Sequence, residues 1–521
     1  MRDLLISPTL PIFRRAHASL IPRWLFLRAL GLIFLSAFYS FAFQVHGLIG
    51  RRGILPVTEY LARVAGVAPG LERYWYVPSL FWVDASDAAL TVAVGAGIVC
   101  SFLLVANIWP RVNVALCTLL FLAFAVTLQD FSSYQSDGML LEAGFISIFF
   151  APAGFRPRLG AADPPSRLSL FMLRWEWFRI YFESGLVKLM SGDPHWRNFT
   201  AMDEYYQNGP LPAWPGWYVQ HFPHWYHAGT VALTLGIELV IVWAVFPPHR
   251  VRIACFGIVT ALQIGIISTA NYAFLNYLVL VLGLLLFDDT AARWIAERIE
   301  RLVPALAGIA PPASSEDGTA RPIWRRPFGT IELVSLAWVF YATLWAFASP
   351  GSDNVLAKPE RALEPFRIAN AYGLFATMTP ARYEIEFQGS NDGGATWTPY
   401  EFRYKPQNVN ERPGIYAPYQ PRFEWNLWFA SLAPWQQSPW VVSAQAALVE
   451  GSPDVLALFR RDPFGGHPPA QVRAVLWQYW FTDAATKRAT GAWWRRQLLG
   501  VFSGSVSRGA DGRLTFQPMT G

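Results

Sequence analysis

Lysine and cysteine are scarce in this chain of 521 residues. Lys188 is the only lysine among the first 350 residues, and the chain has four lysines among 42 Lys and Arg residues. The three cysteines, Cys100, Cys117 and Cys255, all lie within apolar runs. The parts predicted to face water therefore contain no cysteine, which excludes a structural disulfide there and thiol exchange by residues of this chain.

Charged residues are also few. They make up 15% of the chain, well below the roughly 25% of a soluble domain, whereas hydrophobic residues make up 53% and the mean hydropathy is +0.26. This composition predicts a membrane protein with a soluble part. The net charge of +6 is small for this length and lies mostly at the ends of apolar segments, which indicates membrane topology and no nucleic-acid partner.

Motifs for metal and cofactor binding are missing as well. There is no CxxC pair, P-loop, GxSxG or HExxH motif, so we predict neither a cofactor nor a metal. The segment 191–227 does hold four of the eight histidines: His195, His221, His224 and His227. The spacing of the last three could suit a metal, but Pro223 interrupts a regular helix and no carboxylate or cysteine completes a ligand pattern. An aromatic belt at the membrane interface is the favoured interpretation of this segment.

Long apolar runs dominate the first 350 residues and predict about nine transmembrane helices, because a span needs about 20 apolar residues. The runs cover residues 24–46, 88–108, 112–129, 139–151, 168–190, 228–246, 251–269, 272–287 and 331–348. The fourth run is short and carries Glu142, so it could be re-entrant or tilted. With the N-terminus inside, sixteen arginines fall in inside loops and five in outside loops before residue 350, as the positive-inside rule requires.

This topology predicts a polytopic α-helical membrane protein with a C-terminal β-rich extracytoplasmic domain. The N-terminal apolar run is long enough to span a bilayer, so it predicts a retained anchor and not a cleaved signal peptide. The predicted parts are a cytoplasmic N-terminal tail (1–23), a transmembrane helical domain (24–303) with outside loops 47–87 and 191–227, a cytoplasmic linker (304–330), a last transmembrane helix (331–348) and the β-rich domain (349–521).

Alternation of polar and apolar residues at period two predicts strands in the C-terminal domain. Residues 383–388 and 396–404 alternate in this way, and the turn sequence Asn391-Asp392-Gly393-Gly394 between them predicts a hairpin. Residues 471–481 predict another strand, and residues 440–461 have helical spacing.

Ionisable residues in the fifth predicted span are candidates for a functional site, since such groups at membrane depth are functional hypotheses by default. Glu176, Arg179 and Glu183 share one helical face. The other members of this predicted polar membrane cluster are Glu142, Asn271 and Asn276. The cluster either fixes helix packing or lines a polar cavity at the outer end of the bundle.

Lys188 lies near the end of the same span. A lysine loses its proton readily when it is desolvated, so it could act as a base. The alternative is a lysine whose side chain extends to the membrane interface. The sequence leaves both interpretations open.

Several stretches, taken in order, resemble the lipase maturation factor family. They are YQSDGMLLEAGFISIFFAP (134–152), LRWEWFRIYFESGLVKL (173–189), DPHWRNFTAMDEYYQNGPLP (193–212), TANYAFLNYLVLVLGLLLFDD (269–289), PRFEWNLWFASL (421–432) and WWRRQLLGVF (493–502). Vertebrate members of this family reside in the endoplasmic reticulum and help secreted dimeric lipases to reach an active form. Frequent alanine and arginine with scarce lysine hint at a bacterial-type member.

The resemblance implies an integral membrane maturation factor, similar to a chaperone, with a secreted lipase-like client protein and the lipid bilayer as partners. It implies the inner membrane for a bacterial protein and the endoplasmic reticulum membrane for a eukaryotic one, with the C-terminal domain in the periplasm or the lumen. Tryptophans of the outside regions could bind a client by apolar contact or pack the domain's own core. The client-binding candidates are Trp214, Trp217, Trp425 and Trp428.

A fainter resemblance covers only the N-terminal half. The segments GLIGRRGILP (47–56) and YFESGLVKL (181–189) are similar to the membrane domain of vitamin K-dependent γ-glutamyl carboxylases. In that family a lysine after the matching motif is the base, and Lys188 falls at the corresponding position. Ser184 replaces the usual alanine, and no other catalytic residue is recognisable. The alternative function is therefore a membrane-embedded enzyme that acts on a lipophilic substrate with Lys188 as general base.

Overall fold

The structure, a computed structural model, describes residues 19–132, 134–247, 249–302, 329–349, 351, 354–509 and 511–518. Most of the predicted N-terminal tail and of the predicted linker lies outside the described residues. Described residues up to 302 are mainly helical, whereas a sheet and further short helices make up the C-terminal region.

Local sequence sets several helix starts. Ser86 and Ser166 accept hydrogen bonds from backbone N–H groups of the first turn that follows each of them, and Pro110 opens a helix where no donor is needed. The helices up to residue 302 are α1 (Leu20–Ile49), α2 (Val57–Val67), α3 (Glu72–Tyr76), α4 (Asp87–Val105), α5 (Pro110–Ala125), α6 (Gln135–Phe150), α7 (Arg167–Met190), α8 (Pro194–Arg197), α9 (Tyr205–Asn208), α10 (Trp214–Gln220), α11 (His224–Leu239), α12 (His249–Thr269), α13 (Leu275–Gly283) and α14 (Asp289–Leu302).

Four helices are long and apolar enough to cross a membrane: α1, α4, α12 and α15 (Gly329–Ala348). Together with the helical N-terminal half they fit a membrane protein. Each of the nine predicted runs overlaps a helix, but α5, α6, α11 and α13 are shorter. Helix α7 has 24 residues, yet it carries Arg174, Glu176, Arg179, Glu183 and Lys188. The number of about nine spans therefore stays a prediction.

The C-terminal region contains one antiparallel sheet with the strand order β2-β1-β3-β4-β5. Its strands are β1 (Arg382–Ser390), β2 (Thr398–Pro399), β3 (Gln471–Phe481), β4 (Trp494–Arg508) and β5 (Leu514–Gln517). The helices of this region are α16 (Lys358–Arg361), α17 (Arg422–Ala430), α18 (Trp440–Val449), α19 (Pro453–Leu456) and α20 (Ala484–Thr490). Helix α18 packs on β3 and β4, which closes one face of the sheet.

The predicted hairpin is present, but its returning strand is much shorter than the predicted 396–404. Gly393 and Gly394 adopt positive φ angles of 73° and 91° in the turn, which glycine does without strain. After β2 the chain leaves β1, because the backbone N–H groups of residues 403–405 donate to the carboxylate of Glu424 at 2.6–2.9 Å. A side chain distant in sequence thus replaces the expected strand partner.

Buried polar contacts fasten the C-terminal region to the helices. Arg422, at the start of α17, donates two hydrogen bonds of 2.8 Å to the two carboxylate oxygens of Asp137 on α6, and both side chains are fully buried. Gln44 on α1 donates to the backbone oxygen of Gln420 at 2.9 Å. The bidentate pair of Arg422 with Asp137 fixes the orientation of the two side chains as well as the distance between them. One hydrophobic core continues from the helices into the sheet region.

Candidate functional site

Lys188 is buried in an ion pair that the sequence did not predict. Its Nζ lies 2.8 and 3.0 Å from the two carboxylate oxygens of Glu238 on α11, and it also donates to the backbone oxygen of Ser184 at 3.2 Å. The ring of Trp196 lies 5.2 Å from Nζ. Lys188 thus uses its N–H groups to bind Glu238 and Ser184. This arrangement favours a structural ammonium ion over a catalytic base.

A cavity of about 1140 Å³ borders this ion pair. Helices α7, α11, α12 and α13 form its walls, and aromatic side chains of the 191–227 segment and of α17 close its other end. The described residues that line it are mostly apolar, and Lys188 and Glu238 are the charged ones among them. A large apolar space with few polar groups is typical of a small-molecule site.

A chain of polar contacts crosses the cavity wall. Gln263 on α12 donates to the hydroxyl oxygen of Tyr181 on α7 at 2.7 Å, and Asn276 on α13 donates to the amide oxygen of Gln263 at 2.6 Å. All three side chains are buried. Asn276 therefore joins three helices beside the cavity and stands apart from the acidic residues with which the sequence grouped it.

Residues 373–379 roof the cavity and come from the C-terminal region. The N–H of Leu374 donates to the hydroxyl of Ser184 at 3.3 Å, and Trp196 donates to the backbone oxygen of Phe375 at 3.0 Å. The N–H of Met378 donates to Asp193 at 2.6 Å. Burial acts to raise the pKa of Asp193, but this hydrogen bond and those from His195 outweigh it and hold the pKa below its usual value.

The acidic cluster of α7 is a second buried site. Arg179 pairs with Glu142 on α6, and its guanidinium lies 3.8 Å from Glu183. The hydroxyl of Tyr372 donates to Glu142 at 2.9 Å, and its N–H donates to Glu183 at 2.6 Å. Glu176 is fully buried one turn before Arg179. The four predicted residues thus come together, and the C-terminal region fills the space between them.

Asn271 lies outside both sites. Its amide oxygen accepts the N–H groups of Tyr416 and Ala417 at 2.6 and 3.1 Å, and its amide nitrogen donates to Leu211 and Gly414. These contacts fasten a loop of the C-terminal region to the start of the α13 segment. Asn271 therefore has a local structural role.

The four candidate tryptophans occupy different environments. Trp217 is buried in a small core with Tyr479, Phe481 and Trp494, and Trp214 is half-buried. Trp425 and Trp428 are buried and line the cavity. These surroundings favour internal packing for three of them, so their role in client binding stays a prediction.

Three of the four histidines of the 191–227 segment contact separate partners, whereas the fourth, His227, is buried beside the ring of Tyr206. His195 contacts Asp193, His224 contacts Asp203, and His221 contacts the backbone oxygen of Trp217. Among the described residues, no group of three or more His, Cys, Asp or Glu side chains is placed to hold a metal ion.

One edge of the sheet is open and carries exposed apolar side chains. Strand β4 pairs with β3 along one side, but β5 covers only Ser505–Arg508 on the other. The described residues supply no strand partner for the edge from Arg495 to Ser503. On this stretch Leu498, Leu499 and Val501 are exposed by 48%, 46% and 39%, whereas Phe502 and Ser503 are buried.

The sequence did not predict the roles of two residues, Glu238 and Arg422. Glu238 was the carboxylate of an otherwise apolar run, and a lone buried lysine calls for such a partner at a similar depth. That signal could have identified the pair. Arg422 offered no signal, because it lies 285 residues from Asp137 in the sequence.

Comparisons with known proteins cover both halves of the chain. A family model described as the lipase maturation factor transmembrane domain matches residues 21–294, and one described as the lipase maturation factor C-terminal domain matches residues 368–504. Lipase maturation factor 2 of Homo sapiens is 31% identical over 596 residues, covering 94% of this chain and 83% of the relative. Lipase maturation factor 1 of Bos taurus is 30% identical over 518 residues, with 96% and 91% covered. No solved structure matches the chain significantly.

Proposed function

Because the chain belongs to the lipase maturation factor family, we propose that it is an integral membrane factor that assists the folding or assembly of secreted enzymes such as lipases. Its direct partner is then a lipase-like client that is not yet fully folded. Such a client exposes apolar side chains and unpaired backbone groups, which a maturation factor must be able to cover.

The C-terminal region faces the extracytoplasmic side in this proposal, in the periplasm of a bacterium or in the lumen of the endoplasmic reticulum. Contacts between regions assigned to the same side support it. Ser452 donates to the backbone oxygen of Arg52 at 2.6 Å, and Trp217 donates to that of Thr482 at 2.9 Å. On the other side, Arg23 and Arg111 both bind backbone oxygens between residues 151 and 163.

The open edge of β4 is the observation that carries the proposed function. Unpaired backbone groups of an edge strand can pair with an extended segment of another chain. Leu498, Leu499 and Val501 are exposed beside these groups. Arg495 is exposed as well and adds a positive charge, and its guanidinium group lies 4.7 Å from the centre of the Trp480 ring. The occupant that fits is an extended apolar client segment next to an acidic residue.

The substitution Leu498→Lys tests this proposal, because a charge on an edge strand opposes strand addition. The measurement is the specific activity of a secreted lipase per enzyme molecule in a deletion strain that carries each variant. Leu71→Lys is the matched control, since Leu71 is an exposed leucine in the outside loop 47–87. We expect deletion to lower the specific activity, wild type and Leu71→Lys to restore it, and Leu498→Lys to fail at equal membrane abundance.

Three results would contradict the proposal, each at a different level. Unchanged lipase activity on deletion means that maturation of secreted lipases is the wrong function. Full rescue by Leu498→Lys leaves that function standing but removes the β4 edge as the docking site. A photoreactive amino acid at position 498 that cross-links a second copy of this chain, and no lipase, assigns the edge to self-association instead.

A further inference from the structure

We propose that the cavity beside Lys188 binds an uncharged lipid that reaches it from the bilayer between α11 and α12. This inference does not depend on the proposed maturation function. It rests on the shape of the cavity, on its charge balance and on buried polar groups of its lining residues that have no hydrogen-bond partner within the described protein.

The cavity has the size and the opening that a lipid requires. Its volume of about 1140 Å³ exceeds the roughly 300–1,000 Å³ of ordinary ligand pockets. Leu233 on α11 and Ile258 on α12 line it and are exposed by 53% and 41%. Gly229 on α11 and Gly265 on α12 also line the cavity, and a Cβ placed on either meets no neighbouring atom within 4 Å. A gap between α11 and α12 therefore connects the cavity with the surroundings of the helices.

The charge balance of the cavity selects an uncharged ligand. Lys188 and Glu238 are its charged residues among those described, and they neutralise each other at 2.8 Å. The ammonium group already donates to Glu238 and to Ser184. An anionic headgroup would have to displace Glu238, and the displaced carboxylate would then remain buried without a countercharge, which is costly.

Residues of the cavity wall carry polar atoms suited to such a ligand. Thr234 Oγ1 on α11, Trp425 Nε1 on α17 and Asn208 Oδ1 on α9 are among the buried atoms that have no hydrogen-bond partner within the described residues, and all three residues line the cavity. Buried polar groups without a partner are rare in proteins. The indole N–H can only donate, and the hydroxyl can donate or accept. Ester carbonyl and hydroxyl oxygens of an acylglycerol supply the complementary groups, and its acyl chains suit the apolar walls.

A photoreactive diacylglycerol in phosphatidylcholine nanodiscs that hold the full-length protein tests the proposal. We expect cross-links on cavity residues of α11 and α12, and we expect unlabelled dioleoylglycerol to compete for them. Dioleoyl phosphatidic acid, which has the same acyl chains and an anionic headgroup, should compete poorly at the same mole fraction. Stronger competition by phosphatidic acid, or the absence of cavity cross-links, would overturn the proposal.

A pair of glycine substitutions on α12 separates cavity filling from a general effect on the helix. Gly265→Leu places a side chain in the cavity, whereas Gly257→Leu adds the same side chain at a position with equal free space that does not line the cavity. We expect labelling to fall about tenfold in Gly265→Leu and to stay at the wild-type level in Gly257→Leu. Equal labelling of the two variants contradicts the proposal.

Trp425→Phe provides a second readout if Gly265→Leu does not fold. The substitution keeps one aromatic ring and removes the N–H donor together with the second ring of the indole. Because a hydrogen bond in a buried site contributes on the order of 1 kcal/mol, a loss of about fivefold in diacylglycerol labelling is expected. Labelling at the wild-type level would show that the indole N–H does not bind the lipid, and would remove the assigned polar contact.

Discussion

Two buried charged sites, around Arg179 and around Lys188, lie about two and a half turns apart on helix α7, and they differ in what they face. The cluster around Arg179 is closed by Tyr372 and Asn370, which hydrogen-bond directly to its charged groups. The pair of Lys188 with Glu238 borders a cavity of about 1140 Å³. Buried charge alone therefore does not identify a functional site. One site fastens the C-terminal region to the helices, and the other borders a space that can hold a ligand.

Arg179→Met is expected to have the largest effect on stability. Removing one partner of a buried ion pair costs roughly 3–5 kcal/mol, and the upper end applies because Arg179 is the cation near both Glu142 and Glu183. Thermal unfolding in detergent measures the loss. Arg174→Met is the control on the same helix, since Arg174 donates to the backbone oxygen of Leu285. Equal losses in the two variants would contradict a special role of the cluster.

Lys188→Met is expected to cost less, roughly 3 kcal/mol, because the cavity can admit water to the abandoned carboxylate of Glu238. The double variant Lys188→Met with Glu238→Gln removes both charges and should regain most of the lost stability. A double-mutant cycle of unfolding free energies checks this coupling. Additive losses would mean that the two side chains do not stabilise each other.

Lys188→Arg is the control that separates an ion pair from a base. Arginine keeps the positive charge and cannot lose its proton. If Lys188 is structural, the variant should retain both its stability and its support of lipase maturation. A folded Lys188→Arg protein that fails to support maturation would restore the alternative of a membrane-embedded enzyme.

Local patterns predicted much of the architecture. Apolar runs located the helices, and the family predicted from the polar stretches is confirmed. Helical periodicity placed Glu176, Arg179 and Glu183 on one face, and all three are buried, but their functional role stays a prediction. Local patterns could not predict contacts between residues that are far apart along the chain. Glu238 lies 50 residues from Lys188, and the roof segment 373–379 has no periodicity that would assign it to a cavity. The resemblance to γ-glutamyl carboxylases stays a prediction.

Glu424 is a buried carboxyl group outside the predicted spans and can be compared with the acidic cluster on α7. Backbone N–H groups contact the carboxylate of Glu424, whereas Arg179 contacts the carboxylates of the cluster. Burial raises the pKa of Glu424 to about 7, although the three N–H groups of residues 403–405 oppose this shift. A raised pKa in the folded state stabilises the protein below the unfolded value of 4.5, and this contribution is lost as the pH rises through about 7. Unfolding free energy should therefore fall by on the order of 2–3 kcal/mol between pH 5 and pH 8.

The variant Glu424→Gln isolates that contribution. Glutamine does not titrate, so the part of the pH dependence that comes from position 424 should disappear, even if the variant is less stable at every pH. Glu411→Gln is the control, because Glu411 is half exposed and pairs with Arg460 at the surface. A wild-type pH dependence in Glu424→Gln would mean that the backbone donors keep the carboxylate ionised in the folded protein. The backbone N–H groups would then stabilise the carboxylate of Glu424 as effectively as Arg179 stabilises the carboxylates of the acidic cluster.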